Sequence, residues 1–215
     1  MKVGVLGSGV VGQRLAEGLA GHGHRVVLGT HHPEKAELDR LRSGTVERLT
    51  VGSFDAAAAH GELLVLCCLG TAVNEVLDLA GERNFSGKTL IDVTNPLDFS
   101  RGMPPGLFVG PGDSLGERIQ RRLPKTRVVK CFNTVPNALM VDPTLEEGRP
   151  TMMIAGDDGS AKDDVRRLLL DLGWNDVIDV GGIDGARWLE ALVPLWVRVA
   201  MNVQNFSSAF KVLRR

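Results

Sequence analysis

Three glycines stand at the spacing of a phosphate cradle: Gly7-Ser8-Gly9-Val10-Val11-Gly12 reads G-x-G-x-x-G. In a chain of 215 residues with 26 glycines the pattern alone is weak. Its setting gives it force. The apolar run Lys2–Leu6 stops just before it, and Val11, Leu15, Ala16 and Leu19 then recur at helical spacing until Gly21. Each glycine then has a task in holding a dinucleotide: Gly7 permits the tight turn, Gly9 lets the pyrophosphate approach the backbone, and Gly12 lets the helix pack on the strand. The helix N-terminus adds free N–H groups and a positive dipole end. An ordinary glycine-rich strand–helix turn is the plainer alternative.

The tip of the next strand separates the two common dinucleotides. A carboxylate there grips the ribose 2′-hydroxyl in NAD-type sites. Here the stretch reads Leu28-Gly29-Thr30-His31-His32-Pro33-Glu34-Lys35, with no acid at the tip. Thr30 offers a hydroxyl, the histidines offer ring N–H groups and Lys35 offers a cation, a set suited to a 2′-phosphate. The expectation is NADP(H). The same residues would also serve as a polar turn, with Pro33 opening a helix. Zinc at His31 and His32 is disfavoured, because adjacent histidines rarely converge on one ion and no third ligand is near.

Ligands of open α/β sheets bind outside the carboxyl ends of the strands. Those ends are Cys68-Leu69-Gly70-Thr71, Val93-Thr94-Asn95-Pro96 and Cys131-Phe132-Asn133-Thr134-Val135-Pro136. Their small, amide and hydroxyl residues suit a nicotinamide pocket. They show no Ser-His-Asp set, catalytic lysine or paired carboxylate, so no catalytic residue is assigned; hydride transfer needs none, because the cofactor carries the chemistry. Asn95 and Asn133 would equally well bond loop backbone. Cys67 and Cys68 read as packing residues, and Asp92 as a satisfied structural carboxylate.

The elements that must position these residues alternate between strand and helix. Strands are expected at 2–6, 25–28, 49–51, 62–69, 89–93, 127–132, 151–155 and 177–180. Helices are expected at 54–59, 72–79, 114–123, 136–141, 161–172 and 184–213, with a loop over 97–112. That order implies a Rossmann-type, doubly wound α/β fold, mostly parallel, with a C-terminal helical extension. No linker divides the chain, so residues 1–215 are expected to form one dinucleotide-binding domain: a core over 1–182 and a C-terminal helix over 183–215. Leu189, Leu192, Val193, Trp196, Val199, Ala200, Val203 and Phe206 recur at helical spacing there, and Pro194 should kink the helix near Glu190. The stripe would cover the cleft or a second subunit, making a homodimer.

Composition narrows the function classes. Twenty-five Lys+Arg against 26 Asp+Glu leave a net charge of −1, without the basic excess of a nucleic-acid binder. With no Tyr, 7 Phe and 3 Trp, a stacking surface for single strands is also disfavoured. Three cysteines without C-x-x-C spacing argue against a disulfide framework or a structural zinc site. No signal-peptide pattern or membrane-length apolar run is evident, so the expected compartment is the cytoplasm.

Five segments, in order, resemble one family: residues 3–12, Gly29-Thr30 with Pro33-Glu34-Lys35, residues 91–96, residues 129–134, and Ile154-Ala155-Gly156-Asp157-Asp158. They are similar to the NADPH-dependent reductases of coenzyme F-420, an 8-hydroxy-5-deazaflavin, and to the oxidoreductase domain of six-transmembrane metalloreductases. The resemblance implies a Rossmann domain, often dimeric, that passes a hydride between nicotinamide C4 and deazaflavin C5. It implies Ser8, Gly9, Val10 and Val11 along the pyrophosphate, and Thr30, His31 and Lys35 on the 2′-phosphate. It further implies Cys68, Leu69, Asn95 and Pro96 near the nicotinamide, and Asn133, Thr134, Val135 and Pro136 on the side of the second substrate. Family members usually carry Arg where His31 stands, and bulkier or charged residues where this chain has Gly70-Thr71-Ala72. Two other readings stay open: an imine or carbonyl reductase, for which the residues after Gly182 are short, and a non-catalytic NADP(H)-binding redox module.

Overall fold

The computed structural model describes residues 1–43 and 47–214. In chain order the elements are β1 (Lys2–Leu6), α1 (Val10–Gly21), β2 (Arg25–Thr30), α2 (Asp39–Arg42), β3 (Leu49–Ser53), α3 (Phe54–His60), β4 (Leu63–Leu66) and α4 (Val73–Ala80). There follow β5 (Thr89–Asp92), the two-residue strands β6 (Leu97–Asp98) and β7 (Gly106–Leu107), α5 (Leu115–Arg122) and β8 (Arg127–Lys130). The last are β9 (Met152–Ile154), α6 (Gly159–Asp171), β10 (Val177–Asp179) and α7 (Ala186–Val203).

The central sheet has six strands in the order β3-β2-β1-β4-β5-β8, and every neighbouring pair runs parallel. This is the doubly wound arrangement expected from the alternation. The strands read as apolar runs because both faces are covered. Val3 and Val5 look toward one core, with Leu15 and Leu19 of α1 and Val165 and Leu169 of α6. Leu6, Leu64 and Leu66 look toward the other, with Phe54 of α3, Leu77 of α4 and Ile119 of α5. Strand order reverses at β1, whose neighbours are β2 and β4, and a crevice opens at that reversal.

The structure departs from the sequence pattern at the C-terminal end of α7 and in two loops. The helix stops at Val203, ten residues before the expected end, with Gln204 in the left-handed region at φ 53°. The following segment turns back to the start of β9, which pairs with β10 as a separate two-stranded sheet: Thr151 N–H donates to Phe210 O at 3.0 Å, and Trp196 Nε1–H donates to Ser208 O at 2.8 Å. Phe206 therefore belongs to this return and not to the helical stripe. The helix runs through Pro194. Within the expected 97–112 loop, β6 and β7 pair as an antiparallel hairpin. The short helix α2 had no periodicity to announce it.

Candidate active site

The β1–α1 turn is built by backbone contact. Gly7 takes φ +132°, and its N–H donates to Gly29 O at 3.1 Å. A Cβ on Gly12 would stand 1.7 Å from Gly7 O, so α1 rests directly on the turn and only glycine fits. Gly9 differs. Its backbone is extended and a Cβ there would meet nothing within 4 Å, so the protein itself does not require glycine at that position. The open space lies in front of the α1 N-terminus, where no side chain caps the helix and no acid occupies the first turn. Uncapped N–H groups beside an open surface are what a pyrophosphate needs. The residues present therefore fit a dinucleotide.

At the β2 end, Ser8 Oγ donates to Thr30 Oγ1 at 2.8 Å and His32 N–H reaches the same oxygen at 3.4 Å. Thr30 is buried, whereas His31, His32 and Lys35 are exposed beside it. The two imidazoles meet edge to face at 4.6 Å. His32 Nδ1 lies 3.3 Å from Glu34, and His31 Nδ1 lies 4.0 Å from Glu75 on α4. The Thr30 hydroxyl and the two imidazoles thus share one corner, with Lys35 exposed on the loop that follows and a carboxylate reaching in from the far side of the crevice.

Beyond the turn, at the carboxyl ends of β4 and β5, lies a cavity of about 610 Å³. Val11, Cys68, Leu69 and Asn95 line it, as do Thr94 and three residues of the hairpin segment: Leu97, Phe99 and Phe108. Pro96 is buried behind Asn95. Asn95 Nδ2–H donates to Asn133 O, and Asn133 Nδ2–H returns a bond to Asn95 Oδ1, each at 3.0 Å. Asn133 also donates to Leu189 O of α7 at 3.0 Å. The two asparagines clasp the loops after β5 and β8 and tie them to the C-terminal helix. Thr134 and Val135 are buried, Val135 within the α1-side core, and Pro136 precedes a 3-10 turn; none of the three lines the cavity. Phe99 and Phe108 were missed because two-residue strands carry no periodicity. Large apolar residues inside a Gly- and Pro-rich stretch were the available signal.

Burial pushes the Cys68 thiol up to about 12, with the Asp92 charge adding to it, so it stays protonated and inert at neutral pH. Cys67 is raised for the same first reason, and its Sγ sits 3.5 Å from Leu6 O and Gly7 O as packing.

Beneath Thr94 the structure brings together a buried lysine and two carboxylates that the sequence, which showed no catalytic lysine or paired carboxylate at these strand ends, did not join. Lys130, 0% exposed, donates to Asp92 Oδ2 at 2.8 Å, Glu190 Oε1 at 2.7 Å and Thr94 O at 2.6 Å. Its three ammonium hydrogens meet three acceptors. Burial works against the charge, but the two carboxylates outweigh it and hold the Lys130 pKa above the usual lysine range. Asp92 Oδ1 also accepts from Thr94 N–H at 2.9 Å and Thr94 Oγ1–H at 2.6 Å. Glu190 accepts from Leu115 and Gly116 N–H at 2.9 and 3.0 Å, capping α5 from α7. Nearby, Arg187 of α7 makes a two-pronged pair with Glu117 of α5 at 2.8 and 2.5 Å. The cluster anchors Thr94, which lines the cavity, through its carbonyl, N–H and hydroxyl. It is structural, as the sequence suggested for Asp92 alone. Among the described residues no group of three or more His, Cys, Asp or Glu is placed to hold a metal.

Comparison with known proteins adds the family. Residues 2–96 match the family model for "NADP oxidoreductase coenzyme F420-dependent". A protein of Methanothermobacter marburgensis named F420-dependent NADP reductase is 32% identical over 214 residues, covering 95% of this chain and 94% of its own length. The chain belongs to the coenzyme F420-dependent NADP oxidoreductase family. It is an NADP-dependent oxidoreductase. A crystal structure from Arthrobacter sp. FB24, provisionally described as an F420-dependent NADP reductase, superposes with a TM-score of 0.93 at 42% identity, both chains covered in full. Rat metalloreductase STEAP3 is 29% identical over 201 residues; this family member spans 91% of its own length in that match but only 38% of the rat protein. Among the described residues no helix is long and apolar enough to cross a membrane.

Proposed function

We propose that this oxidoreductase passes a hydride between NADP(H) and a flat, flavin-like partner, best matched by coenzyme F-420. The observation that carries the reading is the cavity itself. It continues from the phosphate turn, is walled by Val11, Leu69, Leu97, Phe99 and Phe108, and, among the described residues that line it, offers no group ready to give up a proton, the Cys67 and Cys68 thiols being raised by burial. Asp98 at its edge is held below the usual carboxylate range by bonds from Ser100. Such a wall suits two planar rings exchanging a hydride, and suits poorly the reduction of a ketone, which needs an acid.

In this reading the turn from Gly7 to Gly12, through Ser8, Gly9, Val10 and Val11, holds the pyrophosphate. Thr30, His31 and Lys35 hold the 2′-phosphate. Cys68, Leu69, Asn95 and Pro96 border the nicotinamide, whose C4 supplies or accepts the hydride when the cofactor is bound. Asn133 positions Asn95, and Thr134, Val135 and Pro136 back the wall on the second-substrate side. Two copies pair through α7, where Trp188, Leu195, Val199 and Val203 leave an exposed apolar face.

The test mixes purified protein with NADPH and coenzyme F-420 and follows the deazaflavin absorbance. Turnover is expected. Failure to oxidise NADPH with F-420, FMN, FAD or a quinone refutes the reading. Mass measurement in solution checks the dimer, and a monomer at micromolar concentration rules it out.

A further inference from the structure

Glu75 approaches the 2′-phosphate corner from the side opposite to His31. His31 directly follows β2, and Glu75 lies in the first turn of α4, after β4. Those strands flank β1 on its two sides, so the 4.0 Å approach of His31 Nδ1 to Glu75 Oε1 spans the crevice above the phosphate turn. Both side chains are more than half exposed, at 52% and 66%, and are free to re-orient. The β2 tip lacks the carboxylate that would repel a 2′-phosphate; the fold brings one to the same corner from another element. Among the described residues, the other charged or titratable groups near this corner are His32, which is engaged with Glu34, the exposed Lys35, and Arg42, which donates to Pro33 O and pairs with Asp39.

We infer that Glu75 is a specificity-determining residue that limits the preference for NADP(H) over NAD(H), by competing with the 2′-phosphate for His31 and repelling it. The inference rests on the proposed 2′-phosphate role of Thr30, His31 and Lys35. A phosphate bound to His31 would lie roughly 6–8 Å from the Glu75 carboxylate, across solvent. Repulsion of a dianion at that range, screened by salt, corresponds to about two- to fivefold in affinity. A nucleotide without the 2′-phosphate feels none of it.

The experiment titrates wild type, Glu75→Gln and Lys35→Ala with NADPH and NADH at about 0.02 M and about 0.5 M salt, where the Debye length differs severalfold. Glu75→Gln should bind NADPH about two- to fivefold more tightly at low salt, lose most of that gain at high salt, and bind NADH unchanged. Glu75 is exposed, so the variant should fold as the wild type does, and a thermal melt verifies this. If Glu75→Gln weakens NADPH, leaves it unchanged or alters both nucleotides alike, while Lys35→Ala still weakens NADPH selectively, the role of Glu75 is overturned and the 2′-phosphate reading stands. If Lys35→Ala weakens both nucleotides equally, that reading fails and the inference falls with it.

Discussion

Replacing Lys130 by Met isolates what one buried cation contributes. The methionine matches the lysine stem in length and leaves the apolar packing nearly intact. It strips Asp92 of its Oδ2 partner and Glu190 of the cation it pairs with. Removing one member of a buried ion pair costs about 3–5 kcal/mol, because the charge left behind is uncompensated. Here each carboxylate keeps two donors, Thr94 N–H and O–H for Asp92 and the N–H groups of Leu115 and Gly116 for Glu190. The lower end, about 3 kcal/mol, is therefore expected, a large part of the 5–15 kcal/mol typical of a folded domain. For a chain of this size it should lower Tm by roughly 6–12 °C. Urea unfolding followed by tryptophan fluorescence reads it, since Trp174 is buried and bonded to Met140 O. The Lys130 pKa is raised in the fold, so its contribution is complete below the ordinary lysine pKa of about 10.4 and fades only as pH rises through the still higher folded value. The wild type should thus keep this contribution up to about pH 10. The triple change Lys130→Met, Asp92→Asn, Glu190→Gln should be less damaging than Lys130→Met alone, because no charge is left unpaired. A loss below about 1 kcal/mol for Lys130→Met, or a triple variant worse than the single one, would refute the account of the cluster as a mutually dependent buried triad.

Gly9→Ala should fold with wild-type stability, since a Cβ there meets nothing, yet bind NADPH at least about tenfold more weakly; titration beside a thermal melt separates the two effects. Phe108→Ser should raise KM for the acceptor severalfold with NADPH affinity unchanged, and an equal loss for both would show that the hairpin wall does not face the second substrate. Glu117 is held below the usual carboxylate range chiefly by Arg187, so the stability it contributes is full above about pH 4.3 and is lost as pH falls through the lower folded value. Melts of Arg187→Met between about pH 3 and pH 6 should accordingly show a shallower acid decline than the wild type.

The dinucleotide half of the chain was legible because one pattern carries both structure and chemistry. The glycines at 7, 9 and 12, the apolar strands on either side and the missing acid at the β2 tip are local facts. The remainder depends on tertiary placement. Lys130 ends an apolar strand next to Cys131, and nothing local separates a solvent-facing lysine from one that is fully buried. Glu190 interrupts an apolar helical stripe, and its partners are Lys130 of β8 and the first N–H groups of α5, the latter some 75 positions earlier. Glu75 looks like a first-turn helix acid, and its approach to His31 follows only from the strand order. The end of α7 was misplaced because Phe206 continues the helical spacing, while the turn at Gln204 is decided by the pairing of the following segment with Thr151.

The way the phosphate turn is assembled also bears on the kinetics of nucleotide capture. Gly7 is bonded to Gly29, Ser8 to Thr30 and to Gln13, and Gly12 sits in contact with Gly7. The loop has its shape before any anion arrives, so the ordering entropy of that surface is spent during folding and not at association. Encounter then meets a finished surface, and nucleotides that differ only at the ribose 2′ position should share similar association rates and separate in how long they stay.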